Sequence, residues 1–350
     1  MTADRSVSTA LALIALVAVF TALYFASSIF APVACALFII ALVWPIQKRL
    51  QSYLPRLLAL AIVISVTVTV FFVFASLTAW GFSRVGRTVI ADAGRFQSLY
   101  GQMTAWLDGH GIVIAGFWSE HFDMRWLIRT AQGITSRLNT TISFWLVVVV
   151  YLILGLLEVG DFEAKIRKLK NRNAARVLLD GSIATAAKFR RYMLIRTMMS
   201  VATGTMVWVL AYAAGLNLAA EWGVIAFTLN YIPFIGPFVA TMFPTLFALA
   251  QFESWEAALA VFACLNIIQF VIGSYIEPRV AGSALAMSPF LVLFSVFFWA
   301  FLWGLFGAFI GVPITIAVLT FCAQHPSSQW LSGLLAASDH PPGAERRRAA

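Results

Sequence analysis

The sequence predicts an all-α, polytopic integral membrane protein with about eight hydrophobic segments, two of them broken or re-entrant. Three observations predict it. Hydrophobic residues make up 61% of the 350 residues and charged residues only 11%, against about 45–50% and about 25% in soluble domains. The mean hydropathy is +0.88. Apolar runs of about 20 residues recur along the chain, long enough to cross a hydrocarbon layer as helix. A backbone in lipid must satisfy its own hydrogen bonds, which selects helices. A soluble enzyme, a disordered chain and a disulfide scaffold are therefore poor readings.

Residues 1–82 hold the first three spans. Leu11–Phe30 is longer than the apolar core of a signal peptide, is preceded only by Arg5 and is followed at once by more apolar sequence, so it reads as a transmembrane helix. Pro32 permits a turn, and Val33–Pro45 carries the chain back to a short basic loop with Lys48, Arg49 and Arg56. Leu57–Phe82 is the third span. Residues 83–140 carry six Arg, four acidic residues and two His among aromatic and aliphatic ones, the pattern of an amphipathic helical insertion outside the bilayer, on the periplasmic side. Residues 141–158 form the fourth span.

Residues 159–196 are strongly basic. From position 158 to 196 there are ten Lys or Arg against Glu158, Asp161, Glu163 and Asp180. They read as amphipathic helices on the cytoplasmic surface, drawn to anionic lipid headgroups. The net charge of +9 would suggest nucleic acid in a soluble protein, but here the basic residues lie between apolar runs and act as an orientation signal. By the positive-inside rule both termini, loop 47–56 and segment 159–196 are cytoplasmic. No nucleic-acid partner is expected.

The C-terminal core, 197–323, is more informative. Thr197–Tyr212 and Leu259–Ile276 are clean spans, but segments 222–250 and 289–321 are each interrupted near the middle. Twenty-nine residues of helix reach about 43 Å, and two full crossings need about 40 residues. Each segment is therefore a single kinked crossing or a hairpin of two half-helices. Charge favours the hairpin, which places Glu253 and Glu256 outside and Arg279 inside. Residues 324–350, with Arg346, Arg347 and Arg348, read as a flexible cytoplasmic tail.

Non-helical backbone at membrane depth persists only where protein or a water-filled cavity satisfies it. The string N-Y-I-P-F-I-G-P at 230–237 is thus a candidate site. Pro233 and Pro237 each remove an N–H, Gly236 permits close approach, and Asn230 offers a carbonyl and an amide to a ligand or to freed backbone. Broken helices place their ends at substrate sites in secondary transporters. Gln269, Glu277 and Arg279 are the polar partners expected nearby, with Gln269 and Glu277 eight positions apart and able to share a face. Pro244, Pro278, Gly304, Gly307, Gly311 and Pro313 are hinge or packing elements. The three glycines fall at i, i+3 and i+7, one helical face that suits close packing.

Catalytic and cofactor signals are lacking. There is no G-x-x-x-x-G-K-[ST], no H-E-x-x-H and no Cys/His cluster, so neither an ATP-driven pump nor a metal or other cofactor is expected. Cys35, Cys264 and Cys322 read as small buried hydrophobes.

The string at 230–237 followed by Pro244, Q-F-V-I-G-S-Y-I-E-P-R-V-A-G at 269–282, Met287-Ser288-Pro289 and G-x-x-G-x-x-x-G-x-P at 304–313 resembles the autoinducer-2 exporter (AI-2E) family of bacterial permeases, over most of the chain. The chain departs mildly from the family pattern at Met287 and at Gly307-Ala308. The resemblance implies an inner-membrane permease of about eight hydrophobic segments, a homo-oligomer with a pentamer among the forms expected, and either export of the quorum-sensing signal autoinducer-2 or sodium or lithium/proton antiport. Three functions stand open: export of a small polar solute by alternating access, cation/proton antiport with Glu277 as proton carrier, and a non-transporting scaffold.

Overall fold

The computed structural model describes residues 2–92, 94–95, 97–98, 101, 109, 138–281, 287–325, 328–330 and 335. The remainder of the insertion at 83–140 and of the tail at 324–350, and Gly282, lie outside the described residues. Every regular element among the described residues is helical. In chain order they are α1 (Thr2–Phe25), α2 (Ser27–Leu50), α3 (Arg56–Ala91), α4 (Leu138–Arg167), α5 (Arg172–Ala213), α6 (Ala219–Leu229), α7 (Ile235–Phe252), α8 (Trp255–Gln269), a π-helical stretch Phe270–Ile276, α9 (Glu277–Ala281) and α10 (Pro289–Gln324). Seven of these helical stretches are long and apolar enough to cross a bilayer. Large side chains on them, such as Phe72, Leu146 and Phe301, stay exposed, as lipid-facing residues do. This is a multi-pass membrane protein.

Several helix ends differ from the expected ones. The turn expected at Pro32 falls instead at Ala26 (φ −98°, ψ 29°), and Pro32 lies buried inside α2. A proline inside a membrane helix is tolerated where neighbours take up the carbonyl it frees. Pro45 shows how: it cannot donate to Ala41, and Arg190 on α5 donates to the Ala41 carbonyl at 2.9 Å. Lys188 likewise donates to Thr320 at 3.1 Å. The basic stretch expected as separate surface helices is instead the end of α4 and the first half of one 42-residue helix, α5, and part of it packs among helices. Asn171 caps the start of α5 by accepting from the Ala174 N–H at 3.1 Å. Cys35 is buried as expected, but Cys264 is exposed on the outer face of α8.

The chain divides into two compact units. The first comprises Met1–Val66, Phe144–Met193 and Ala281–Ala350. Its core stripe is Val148, Leu152 and Leu156 on α4, all about 1% exposed, at the i, i+4 spacing of one helical face. Gly155 lets Ile40 of α2 approach, since an added Cβ would lie 2.4 Å from its Cδ1. Gln47 is wholly buried and donates to the Leu156 carbonyl at 3.4 Å. Arg56 donates to the Leu157 carbonyl and pairs with Asp161.

This unit also holds the second broken segment. Inside α10 the helical path fails at Trp303 (φ −130°, ψ 15°) and Gly304 (φ 63°, ψ −143°). The arms on either side run back along each other. A Cβ on Gly307 would meet the Trp299 carbonyl oxygen at 1.8 Å, and one on Gly311 would meet that of Ser295 at 2.9 Å. Trp299 Nε1 donates to Thr315 Oγ1 at 3.3 Å. The two glycine contacts are centred on residue 303, so the segment is a helical hairpin. Gly304 therefore forms the turn and leaves the shared face to Gly307 and Gly311. Ser288 caps the first arm through the Leu291 N–H at 3.2 Å, with Pro289 in its first turn. The hairpin tip is aromatic: Phe301 stacks on Tyr24, Phe306 stacks on Phe144, and Trp303 Nε1 donates to the Leu23 carbonyl.

The second unit comprises Thr67–Ser143 and Leu194–Val280. Its core gathers Trp222, Ala226, Val207, Ala248, Leu265 and Ile272, each 2% exposed or less. The first broken segment is a hairpin too. Trp222 near the start of α6 meets Phe247 near the end of α7, ring centroids 5.5 Å apart. Gln251 closes the base, with Nε2 donating to the Gly215 carbonyl and Oε1 accepting from the Asn217 N–H, both at 2.7 Å. Helices α5 and α6 cross through two glycines: a Cβ on Gly204 would lie 2.8 Å from the Gly223 carbonyl oxygen, and one on Gly223 would lie 2.9 Å from that of Gly204. Only small residues allow backbones this close.

Candidate functional site: a helical hairpin tip on α5

The tip of the first hairpin follows from its prolines. Pro233 has no N–H, so the Leu229 carbonyl accepts from Ile232 at 2.9 Å instead. Pro237 has none either, so the Pro233 carbonyl accepts from Ile235 at 2.7 Å. That two-residue closure is a γ-turn centred on Phe234, whose φ of 63° and ψ of −53° fall in the rare, strained form. Gly236 then sits against the preceding arm, where a Cβ would lie 1.9 Å from the Leu229 oxygen. Strained, non-glycine backbone of this kind gathers at functional sites.

The tip rests on polar side chains of α5. Asn230, 5% exposed, donates through Nδ2 to Ser200 Oγ at 3.3 Å. Tyr231 donates its hydroxyl to Thr197 Oγ1 at 3.0 Å. Phe74 of α3 meets the Tyr231 and Phe227 rings edge-on, at 5.5 and 6.0 Å. One turn before Ser200, Arg196 is 8% exposed and donates to both oxygens of Glu277, at 2.9 and 3.0 Å. Glu277 opens α9 directly after the π-helical stretch, a rare element that is frequent at functional sites. A second ion pair, Arg84 to the buried Glu221 at 3.1 Å, joins α3 to the base of the hairpin.

Of the residues predicted from sequence, Asn230 and Glu277 meet on one stretch of α5, and Pro233, Gly236 and Pro237 shape the tip above it. Pro244 is buried mid-way along α7. Gln269 ends α8 with its Nε2 buried and without a hydrogen-bond partner among the described residues. Arg279 does not join the cluster; it lies exposed over the Tyr275 ring, 3.5 Å from the centroid, a cation–π contact next to the exposed Pro278. Asn266 bonds the Phe262 carbonyl of its own helix. Gly304, Gly307, Gly311 and Pro313 belong to the hairpin of the other unit. Sequence reading missed Arg196, Thr197 and Ser200 as site residues. The available signal was the four-residue spacing of Arg196 and Ser200 at the entry to an apolar run. Among the described residues no group of three His, Cys, Asp or Glu could hold a metal ion.

Apolar helices long enough to span a bilayer, two broken segments folded as hairpins and a buried polar cluster at one hairpin tip are features that secondary transporters share. The chain belongs to the AI-2E transporter family, whose sequence model matches residues 13–326. It is 26% identical over 323 residues to the AI-2 transport protein TqsA of Escherichia coli (strain K12), covering 91% of this chain and 93% of that one. Over 324 residues it is 23% identical to YueF of Bacillus subtilis (strain 168), covering 85% and 84%. It is also 26% identical to YhhT of Escherichia coli (strain K12) over 196 residues, 56% of this chain and 55% of that one.

Proposed function

We propose that this transporter moves a small polar solute of the autoinducer-2 type out of the cell, by alternating access at the tip of the first hairpin. The observation that carries the reading is the buried polar contact of Asn230 with Ser200, beside the Arg196–Glu277 pair and under the strained Phe234 turn. Such a site is maintained against the cost of burying polar groups. The name of TqsA supports the solute class, and the positive-inside pattern supports an inner membrane with cytoplasmic termini. The exposed basic residues from Lys165 to Arg176 suit anionic headgroups on that side. Glu277 is engaged by Arg196, which gives no support to a proton-carrier role for it.

The test is flux of autoinducer-2 in proteoliposomes holding the purified protein. Protein-dependent flux that falls at least tenfold in N230A and R196Q is the expected result. Absence of flux with the native chain, or flux unchanged in both variants, overturns the reading.

A further inference from the structure

A hydroxyl inside a helix commonly donates to the carbonyl four residues back. In this chain Thr228, Thr245, Ser295, Thr315 and Thr320 do so, at 2.6–3.0 Å. Thr203 on α5 does not. Its side chain is 0% exposed, and Oγ1 has no hydrogen-bond partner among the described residues. A buried polar atom left so in a folded protein calls for an explanation.

Position supplies one. Thr203 is third in a row of hydroxyls, Thr197, Ser200 and Thr203, spaced three apart along α5 and hence adjacent on the helix. The first two accept from the hairpin tip, from Tyr231 and Asn230. The contact of Ser200 with Asn230 is long, 3.3 Å, so the tip closes the row loosely. One turn beyond Thr203 the row ends in apolar side chains: Val207 and Ala211 line a small void with Pro244 and Val261. The nearby charges are paired, Arg196 with Glu277 and Arg84 with Glu221, so the row offers neutral donors and acceptors with no net charge.

We propose that Ser200, Thr203 and Asn230 form a recognition strip for an uncharged solute bearing neighbouring hydroxyl or carbonyl groups, uncovered when the hairpin tip lifts and α6 rolls off α5. This deepens the transport reading above and rests on it. Thr203 is then a specificity-determining residue whose hydroxyl is held for the solute.

The experiment measures concentration-dependent flux of autoinducer-2 in proteoliposomes of the native chain, T203V, T203S and S200A, with D-ribose and lactate as competitors. A site built to bond a hydroxyl discriminates strongly through it, so T203V is expected to raise KM about tenfold at nearly unchanged Vmax. S200A shifts KM in the same direction, and T203S stays close to native. Excess D-ribose slows the flux and lactate does not. A native KM in both T203V and S200A, in vesicles with native flux, overturns the strip, as does lactate competing as well as D-ribose. If the native chain itself shows no flux, the transport reading falls and the strip falls with it.

Discussion

Arg196 grips Glu277 through a single nitrogen, Nη1, which lies 2.9 and 3.0 Å from the two carboxylate oxygens. The pair ties the middle of α5 to the end of the π-helical stretch, across 81 residues of sequence. Removing one partner of a buried pair leaves the other uncompensated, at about 3–5 kcal/mol. R196Q and E277Q are each expected to lower the melting temperature in detergent clearly, while the swapped pair R196E/E277R recovers part of the loss. Thermal unfolding of the four proteins checks this. Additive loss in the swapped pair means that the contact is not what holds these elements.

Gly236 has no room for a side chain, because an added Cβ would lie 1.9 Å from a backbone oxygen. G236A is expected to cost more than about 3 kcal/mol, above the usual range for overpacking, since a carbonyl cannot swing aside as a side-chain tip can. Gly273 in the π-helical stretch meets nothing within 4 Å, so G273A is the control and stays within about 0.5 kcal/mol. The yield of folded protein and the unfolding midpoint of the two variants decide it.

Phe234 holds positive φ with its side chain 46% exposed. Glycine relieves backbone strain of about 1–3 kcal/mol at such a position and gives up few contacts. F234G is expected to be more stable than the native chain by about 1 kcal/mol, after the entropic cost of glycine. A lower melting temperature for F234G shows that the ring, and not the turn, matters there.

Both broken segments are hairpins whose ends return to the same place. In a chain carrying C35A, C264A and C322A, cysteines introduced as N217C and S254C are expected to label from one side of the membrane. S288C and H325C are expected to label from the other side, because the Trp255–Val280 stretch between them is long and apolar enough to cross. A membrane-impermeant maleimide applied to right-side-out and inverted vesicles reads this out. Single kinked crossings would split each pair between the two sides.

The fold class was legible because apolar surface in such excess has one home, and the two breaks were legible as proline and glycine clusters inside long apolar runs; only the charge pattern pointed to hairpins. The helix ends were less so. Pro32 suggested a turn, yet it lies within α2; a proline in lipid need not stop a helix where a neighbour donates to the carbonyl it frees. The Ala41 carbonyl freed by Pro45 is met by Arg190, 149 positions away in sequence. The site was half legible: Asn230 and Glu277 stand out as polar residues among apolar ones. Arg196, Thr197 and Ser200 did not. Arg196 follows Arg190 and Arg191 and resembles one more surface charge, and the hydroxyls resemble ordinary helix residues. Their meaning comes from partners 30 to 81 positions distant, which no local pattern encodes.

For the tip movement proposed above, the glycine crossing of α5 and α6 is the natural pivot. Gly204 and Gly223 touch backbone to backbone, so the base of the hairpin is the fixed end of a lever and Asn230 rides near its free end. At about 1.5 Å of rise per residue the free end stands about 10 Å from the fulcrum, so a tilt of about 20° carries it about 3.5 Å. Such a tilt would part Asn230 from Ser200 by one or two atoms' width, and Thr203, beside the pivot, would open only as α6 also rolls on α5. Under that movement the arm length of α6 limits how bulky a solute could pass.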